Sequence, residues 1–300
     1  MSASKDIPFE KKTKRPDIFD YLDYRTFLRD IFNYKKLKNH RYSYRVFSGK
    51  AGFSSPNFLK LVIDGQRNLT NESIGKIAKG FGLKKQERDF FESLVFMNQA
   101  LTNDDKNHYY KKMMASNGFL KSHKIDQSKY KYFSKWYYPA IREIAVFGNR
   151  DSTPEQIAGL LNPNITTREV ERALDILLEL GLLRKDKNGK WEQVDKVITT
   201  GLTAESELKS LIIANYHKEM IKLSMEALER HPKNKRDIAG VTLSVKKGKI
   251  SEIKKRIIEF RKELLKLESE DENPEQVIQI NIQAFPLTKS DKGERDVPID

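Results

Sequence analysis

The chain has 300 residues, of which a third are charged, and a formal net charge of +14. Its apolar residues are grouped periodically, which predicts two or three folded, helix-rich domains and excludes a disordered chain. The absence of cysteine excludes disulfides, thiolate zinc sites and cysteine nucleophiles. With no signal-peptide core and no run near the ~18 apolar residues of a membrane span, we expect a cytoplasmic protein without membrane contact.

The positive charge is concentrated near the start of the chain. Residues 1–100 contain 20 Lys and Arg and 11 Asp and Glu. The corresponding numbers are 17 and 13 in residues 101–200, and 19 and 18 in residues 201–300. Between Asp30 and Asp64 there is no acidic residue. The cations of that stretch are Lys35, Lys36, Lys38, Arg41, Arg45, Lys50 and Lys60. This asymmetry favours contact with a polyanion, and the alternative is a solvated basic face without a partner.

The first hundred residues predict a basic arm followed by a helical domain. Residues 1–16 are polar and basic and are expected to be disordered or to form an arm along phosphates. An amphipathic pattern over residues 17–33 predicts a helix, and further helices are predicted over 72–81 and 84–101. We therefore expect one helical domain over residues 17–101.

Within this domain, residues 43–65 contain two short helical patterns around Gly52, which can adopt the left-handed conformation that ends a helix. Ser55 is a suitable N-cap and Pro56 a suitable first helical residue for the second pattern. Its apolar residues, expected to face the core, are Phe58, Leu59, Val62 and Ile63. Those expected to face solvent or a groove are Ser54, Ser55, Asn57 and Lys60. Two helices joined in this way predict a helix-turn-helix.

The segment resembles the phage-repressor type of helix-turn-helix, in which a small-Gly-apolar turn precedes the recognition helix and a Gly follows it. Here these are Ala51-Gly52-Phe53 and Gly65. The resemblance implies that the starts of both helices touch double-stranded DNA. The corresponding positions are Tyr44, Ser54, Ser55 and Asn57.

Phosphate contacts are expected from the neighbouring cations. We assign this role to Arg45, Lys60 and Arg67. A longer phosphate track is expected from Lys35, Lys36, Lys38 and Arg41.

The whole chain, over roughly residues 18–288, is also similar to an uncharacterised bacterial family with such a motif and a long C-terminal region of unknown function. The similar phrases include Tyr24-Arg-Thr-Phe-Leu-Arg-Asp30, Val62-Ile-Asp-Gly-Gln-Arg-Asn-Leu69, Trp136-Tyr-Tyr138 and Phe285-Pro-Leu-Thr288. Because that family is described mostly as transcriptional regulators, the resemblance implies such a role without supplying a ligand or an operator.

Residues 102–129 are expected to form a connecting helix and a polar linker, with the linker over 115–129. The following stretch, 130–138, interleaves aromatic residues with lysine. Such a mixture can stack unpaired bases, but the interpretation that we favour is a core helix continued by the apolar residues after it.

Residues 130–200 predict a winged-helix-like module. Three signals follow one another in the order that this fold requires: a Thr-Pro helix start at Thr153, a capped helix from Thr166, and a hairpin turn at Asn188-Gly189. The second of these helices carries several carboxylates, which phosphates would repel. The module is therefore expected to be mainly structural or dimer-forming, with the wing as a possible auxiliary contact.

In residues 201–288 the pattern predicts a long helix over 205–230. It then predicts a strand over 241–245, a helix over 250–267 and a second strand over 277–285. This α+β part could pair two subunits or bind an unknown small-molecule or protein effector, and sequence does not choose between them. The tail, 289–300, is expected to be loose.

No motif of enzyme chemistry is present in the sequence. A phosphate-binding Gly-rich loop, a Gly-x-Ser-x-Gly elbow and a His-Glu-x-x-His helix are all absent, and the five histidines lack metal spacing. We therefore expect no catalytic site, cofactor or metal. The sequence predicts a mainly α DNA-binding regulator that forms a homodimer. The alternative is a protein-interaction adaptor that retains the helix-turn-helix fold.

Overall fold

The structure, a computed structural model, describes residues 14–147, 152–194, 207–246, 248–270 and 274–289. Most of the predicted basic arm and loose tail therefore lie outside the described residues. The described chain is mainly helical, with thirteen α-helices and one two-stranded sheet. None of these helices is long and apolar enough to cross a membrane. Two compact units are present, Met1–Gln127 with Glu205–Leu211 and Ser128–Ala204 with Ile212–Asp300.

The first unit contains a 3-10 turn at Ile18–Asp20 and seven helices. These are α1 Tyr24–Lys38, α2 Tyr44–Ala51, α3 Phe58–Ile63, α4 Asn71–Phe81, α5 Lys85–Gln99, α6 Asn103–Met114 and α7 Asn117–Ser122. The first helix begins later than the predicted residue 17, because Asp23 accepts a 2.6 Å hydrogen bond from the Thr26 backbone amide and caps it there. It then extends to Lys38, which places Lys35, Lys36 and Lys38 in its last turn.

The start of α3 also differs from the prediction. Ser55 is not its N-cap, since the Phe58 amide bonds the Ser55 carbonyl at 3.3 Å in a turn, and Asn57 takes the cap position. Pro56 lies in that turn and not in the first helical position. The buried face was predicted correctly, as Phe58, Leu59, Val62 and Ile63 are all buried.

The predicted linker over residues 115–129 is helical. It contains α7 and the first part of α8, Lys124–Phe133. Phe119 is fully buried and its ring lies 5.3 Å from that of Phe90 and 6.0 Å from that of Tyr110. One aromatic anchor therefore holds a stretch whose polar composition indicated a loop.

The second unit contains the rest of α8, five further helices and a hairpin. These are α9 Tyr137–Ile144, α10 Pro154–Leu160, α11 Thr167–Glu179, β1 Leu183–Lys185, β2 Trp191–Gln193, α12 Glu207–Arg230, which starts in the first unit, and α13 Lys249–Glu270. The strands are antiparallel, with Arg184 opposite Glu192. Gly189 has a φ of 82° at the hairpin turn, as predicted for Asn188-Gly189.

The aromatic stretch over residues 130–138 belongs to the core of the second unit. Tyr132, Tyr137 and Tyr138 are buried in one cluster with apolar residues of α9, α10 and α11. Burial raises the pKa of Tyr137 to about 12, so its hydroxyl stays protonated at neutral pH. The core interpretation is confirmed for these rings, which are not available to stack bases.

The predicted strands over residues 241–245 and 277–285 are not formed. Both segments lie in irregular structure, and only the helix between them, α13, matches the prediction. Alternating side chains predict which residues share a face, but a strand also needs a second strand to complete its hydrogen bonds. Neither segment has such a partner among the described residues.

Gly80 provides a test of the packing of α4 on α2. A Cβ at Gly80 would lie 2.8 Å from the Ala51 Cβ and 2.8 Å from the Phe47 ring, both in the core. We expect Gly80→Ala to destabilise the first unit by about 1–3 kcal/mol through overpacking. The matched control is Gly75→Ala on the same helix, where nothing lies within 4 Å and better helix propensity should stabilise by about 0.5–1 kcal/mol.

Urea unfolding followed by far-UV circular dichroism measures both changes. Tryptophan fluorescence is unsuitable, since Trp136 and Trp191 both lie in the second unit. Equal unfolding midpoints for the two variants would contradict the close approach of α4 and α2.

Candidate nucleic-acid interface

The predicted site lies on α2, on α3 and on the turn between them. Ser43 caps α2 by accepting a 3.3 Å hydrogen bond from the Val46 amide, and Gly52 ends it with a φ of 77°. The buried hydroxyl of Ser48 donates a 3.2 Å hydrogen bond to the Pro56 carbonyl. This bond fixes the turn that leads into α3.

Aromatic stacking holds the beginning of α3. The rings of Phe53 and Phe58 stack with their centroids 4.2 Å apart. The Arg67 guanidinium lies 5.0 Å from the centre of the Phe58 ring, and the Lys76 ammonium lies 5.7 Å from that of Phe53. These two cation–π contacts hold Arg67 and Lys76 close to α3, and each contributes only a small stabilising free energy.

Arg25, on α1, holds the other end of α3. Its guanidinium donates hydrogen bonds to the Val62 carbonyl, to the Arg67 carbonyl at 3.0 Å and to the Asn68 side-chain oxygen at 2.7 Å. Sequence reasoning missed this role, because the partners are 37 to 43 residues away and no local pattern joins them. Arg25 therefore sets the position of a segment that carries the predicted phosphate contact Arg67.

The predicted DNA-reading side chains of α3 and its turn differ in exposure. Ser54, Asn57 and Lys60 are exposed, whereas Ser55 is half-buried. Asn57 makes no side-chain capping hydrogen bond although it occupies the N-cap position. Its amide is thus not used in capping α3.

Tyr44 is held at the start of α2 by its ring. The ring stacks on Phe32 of α1, with centroids 4.1 Å apart and planes 7° from parallel. Burial raises the pKa of the Tyr44 hydroxyl, and the carboxylate of Asp64 raises it further. The hydroxyl therefore stays neutral at physiological pH and can donate a hydrogen bond to an anion.

The predicted phosphate contacts are free of neutralising partners. Among the described residues, no ion pair is formed by Lys35, Lys36, Lys38, Arg41, Arg45, Lys60 or Arg67. Of these, only Lys35 is half-buried, and the others are exposed. Burial lowers the pKa of Lys35, and the positive charges of Lys50 and Arg15 lower it further. Lys35 therefore lies near other positive charges, and neither it nor Lys50 forms an ion pair among the described residues, so a bound anion would supply the missing negative charge.

The hairpin of the second unit offers fewer free cations. Arg184 forms a 2.8 Å ion pair with Glu192, and the Lys185 ammonium lies 4.7 Å from the centre of the Trp191 ring. The first turn of α11 contains Glu169, whose carboxylate completes a capping box with Thr166. Lys187 remains as an exposed cation in the turn.

No part of the described chain presents a metal site, since no three His, Asp or Glu side chains converge there.

The sequence profile of a domain of unknown function, DUF4423, matches residues 116–287. The chain belongs to the DUF4423 family. The match begins one residue before α7 and agrees with the predicted C-terminal region of unknown function. The α2–α3 site precedes the part that the DUF4423 profile covers. No curated protein and no solved structure matches the chain.

Removal of the Arg25 side chain tests its hold on α3. The amides of Asp64, Gly65 and Gln66 bond carbonyls of α3 at 2.9, 3.1 and 2.9 Å. We expect Arg25→Ala to speed their hydrogen exchange about tenfold, because charged hydrogen bonds each contribute about 1.5–3 kcal/mol before solvent screening. Exposed Arg29 on the same helix supplies the control, Arg29→Ala, which should leave these rates unchanged.

Nuclear magnetic resonance resolves the exchange rates residue by residue. Unchanged rates in Arg25→Ala, or an equal increase in Arg29→Ala, would contradict the assigned role.

Proposed function

We propose that the chain is a transcriptional regulator that binds double-stranded DNA through α2 and α3 as a helix-turn-helix. The observation that carries the proposal is the run of cations from Lys35 to Lys60, which has no acidic residue in its sequence and no ion pair among the described residues. Phosphates would supply the missing negative charge and release counterions on binding.

The exposed polar groups of α3 and its turn are suited to reading DNA. Asn57 carries both a donor and an acceptor, and an amide of this kind can form two hydrogen bonds to adenine in the major groove. Ser54 lies exposed in the preceding turn. Tyr44 adds a neutral donor at the start of α2.

Phosphates would be bound by the surrounding cations. Arg45 extends from the first turn of α2, Lys60 from the exposed side of α3, and Arg67 from the segment that Arg25 holds. The last turn of α1, which precedes α2 in the chain, supplies three further lysines, Lys35, Lys36 and Lys38. Asp64 opposes this role, since its carboxylate acts on Tyr44 and would repel a phosphate placed there.

A homodimer is part of the proposal. Two copies of one small reading module on a two-fold operator multiply weak half-site affinities. We assign the DUF4423 region to dimer formation or effector binding and the second unit's helix–helix–hairpin segment to a winged-helix-like structural module.

The salt dependence of DNA binding tests the proposal. The variant Arg45→Ala/Lys60→Ala should bind a mixed-sequence duplex more weakly than wild type and reduce the slope of log K against log salt by about 2, one unit for each lost phosphate contact. Fluorescence anisotropy at a series of salt concentrations gives both quantities. The charge-matched control is Lys111→Ala/Lys121→Ala, which removes exposed lysines of α6 and α7.

The two double variants should differ clearly. An equal loss of slope in both would indicate unspecific attraction by net charge alone. A wild-type affinity that does not change with salt would favour the alternative function, a protein-interaction adaptor, since an apolar contact surface releases no counterions.

Base readout is tested separately on a selected operator. Asn57→Ala/Lys60→Ala should lose specific binding at moderate salt, and unchanged specific binding would contradict the assignment of α3 as the recognition helix.

A further inference from the structure

The α13 helix has an apolar seam that its own chain covers only in part. The seam residues are spaced alternately by three and four, and they are Ile250, Ile253, Ile257, Phe260, Leu264 and Leu267. This is the spacing of the a and d positions of a coiled coil, sustained over the whole helix. No described side chain of α13 is fully buried: Ile253, Ile257 and Leu264 are half-buried, whereas Ile250, Phe260 and Leu267 are 46%, 49% and 64% exposed.

Local interactions give this helix only modest support. Four ion pairs join residues three or four apart on its surface, such as Lys249 with Glu252 at 2.7 Å and Arg256 with Glu252 at 2.9 Å. Exposed pairs of this kind contribute a few tenths of a kcal/mol each. Most of the stability of an amphipathic helix comes from packing of its apolar face, which here needs a second surface.

We propose that this surface is a second copy of the chain, and that the two α13 helices pair side by side in antiparallel orientation as the homodimer interface. In this register Ile250 faces Leu267 of the second copy, Ile253 faces Leu264, and Ile257 faces Phe260. Every seam residue then has an apolar neighbour, and the two-fold axis passes between Ile257 and Phe260.

The charges beside the seam select the antiparallel orientation. On one flank, Lys249 lies next to Glu270 of the second copy and Arg256 next to Glu263, and the two-fold axis repeats both attractive pairs. On the other flank Lys254 lies near Arg261 of the second copy, an unfavourable pair that the axis also repeats, so two repulsive contacts stand against four attractive ones.

A parallel pair would place like charges together throughout. Residues five apart on opposite helices would then meet, as Lys249 with Lys254, Arg256 with Arg261 and Glu263 with Glu268. All three contacts are repulsive. The charge pattern therefore fits antiparallel self-association and opposes the parallel form.

The chain that follows α13 presents another apolar face outward. The Asn281 amide donates a 3.0 Å hydrogen bond to the Met220 carbonyl of α12, and Gln279 accepts a 3.4 Å bond from Tyr216. Between and beside these polar residues, Ile278, Ile280 and Ile282 are 75%, 51% and 39% exposed. The polar side of the segment thus contacts its own chain, while the apolar side is exposed and open to a partner.

The overall charge of this region fits a copy of itself better than a polyanion. Residues 241–289 contain ten Lys and Arg and eight Asp and Glu, in contrast to the strongly basic first hundred residues. Two such regions attract or repel each other only weakly at long range, so the local pairs decide the association.

Charge reversal in the full-length protein, without DNA, tests the pairing. We expect Arg256→Glu and Glu263→Arg each to raise the dimer dissociation constant about tenfold, because each places like charges together twice across the axis. The double variant should return to near the wild-type value. The control Lys262→Glu has the same charge change as Arg256→Glu, at an exposed position of the helix away from the seam.

Sedimentation equilibrium measures these constants. A wild-type chain that remains monomeric at all concentrations would overturn the proposal. So would an effect of Lys262→Glu equal to that of Arg256→Glu, or a tighter dimer in Arg256→Glu, which is the result that a parallel pair predicts.

Engineered cysteines test the orientation directly, since the chain has none of its own. In an antiparallel pair, two copies of Ile250→Cys keep their thiols about 25 Å apart along the helices, and so do two copies of Leu267→Cys. Neither variant should form a disulfide-linked dimer alone, while a mixture of the two should. Cross-linking of each variant with itself would overturn the antiparallel arrangement.

These tests are independent of the proposed DNA binding. The association is measured without nucleic acid, and α13 lies outside the first unit. Failure of the charge-reversal test would leave α2 and α3 as a DNA-reading module, whereas failure of DNA binding would leave the dimer intact. Because no described side chain of α13 is fully buried, the variants should fold normally, which circular dichroism verifies.

Discussion

The position of α3 is the constraint on which the proposed DNA-binding site depends. A helix of six residues is far below the length at which helices are stable alone in water. Its place is set instead by four buried apolar side chains on one face, by the Phe53–Phe58 stack at its start and by Arg25 at its end. The outward side chains, including Asn57 and Lys60, are therefore positioned by tertiary contacts.

The cations of the first unit fall into two groups, those that bond to other groups within the fold and those that form no ion pair among the described residues. Arg25 uses its guanidinium within the fold, and Arg15 pairs with the buried carboxylate of Glu87 at 2.6 Å. The cations of the last turn of α1 have no such partners among the described residues. Net charge alone does not distinguish these two groups, whereas their contacts do.

Local signals in the sequence predicted much of the fold. Caps at Thr153 and Thr166 and the left-handed glycine Gly52 mark helix ends where the structure has them. These features were accessible because a cap or a turn depends on residues that are neighbours along the chain. The errors concern contacts between distant residues: the aromatic anchor at Phe119, the Arg25 hydrogen bonds, and the unpaired segments on either side of α13. At Ser55 the local rule itself failed, because a turn ending at Phe58 competes with the cap.

The most direct test of DNA recognition is selection from a pool of random duplexes by the purified full-length protein at two salt concentrations, followed by sequencing of what is retained. We expect a motif with two-fold symmetry that is enriched at both salt concentrations and retained more weakly at the higher one. No retention at either concentration would contradict DNA recognition by this chain.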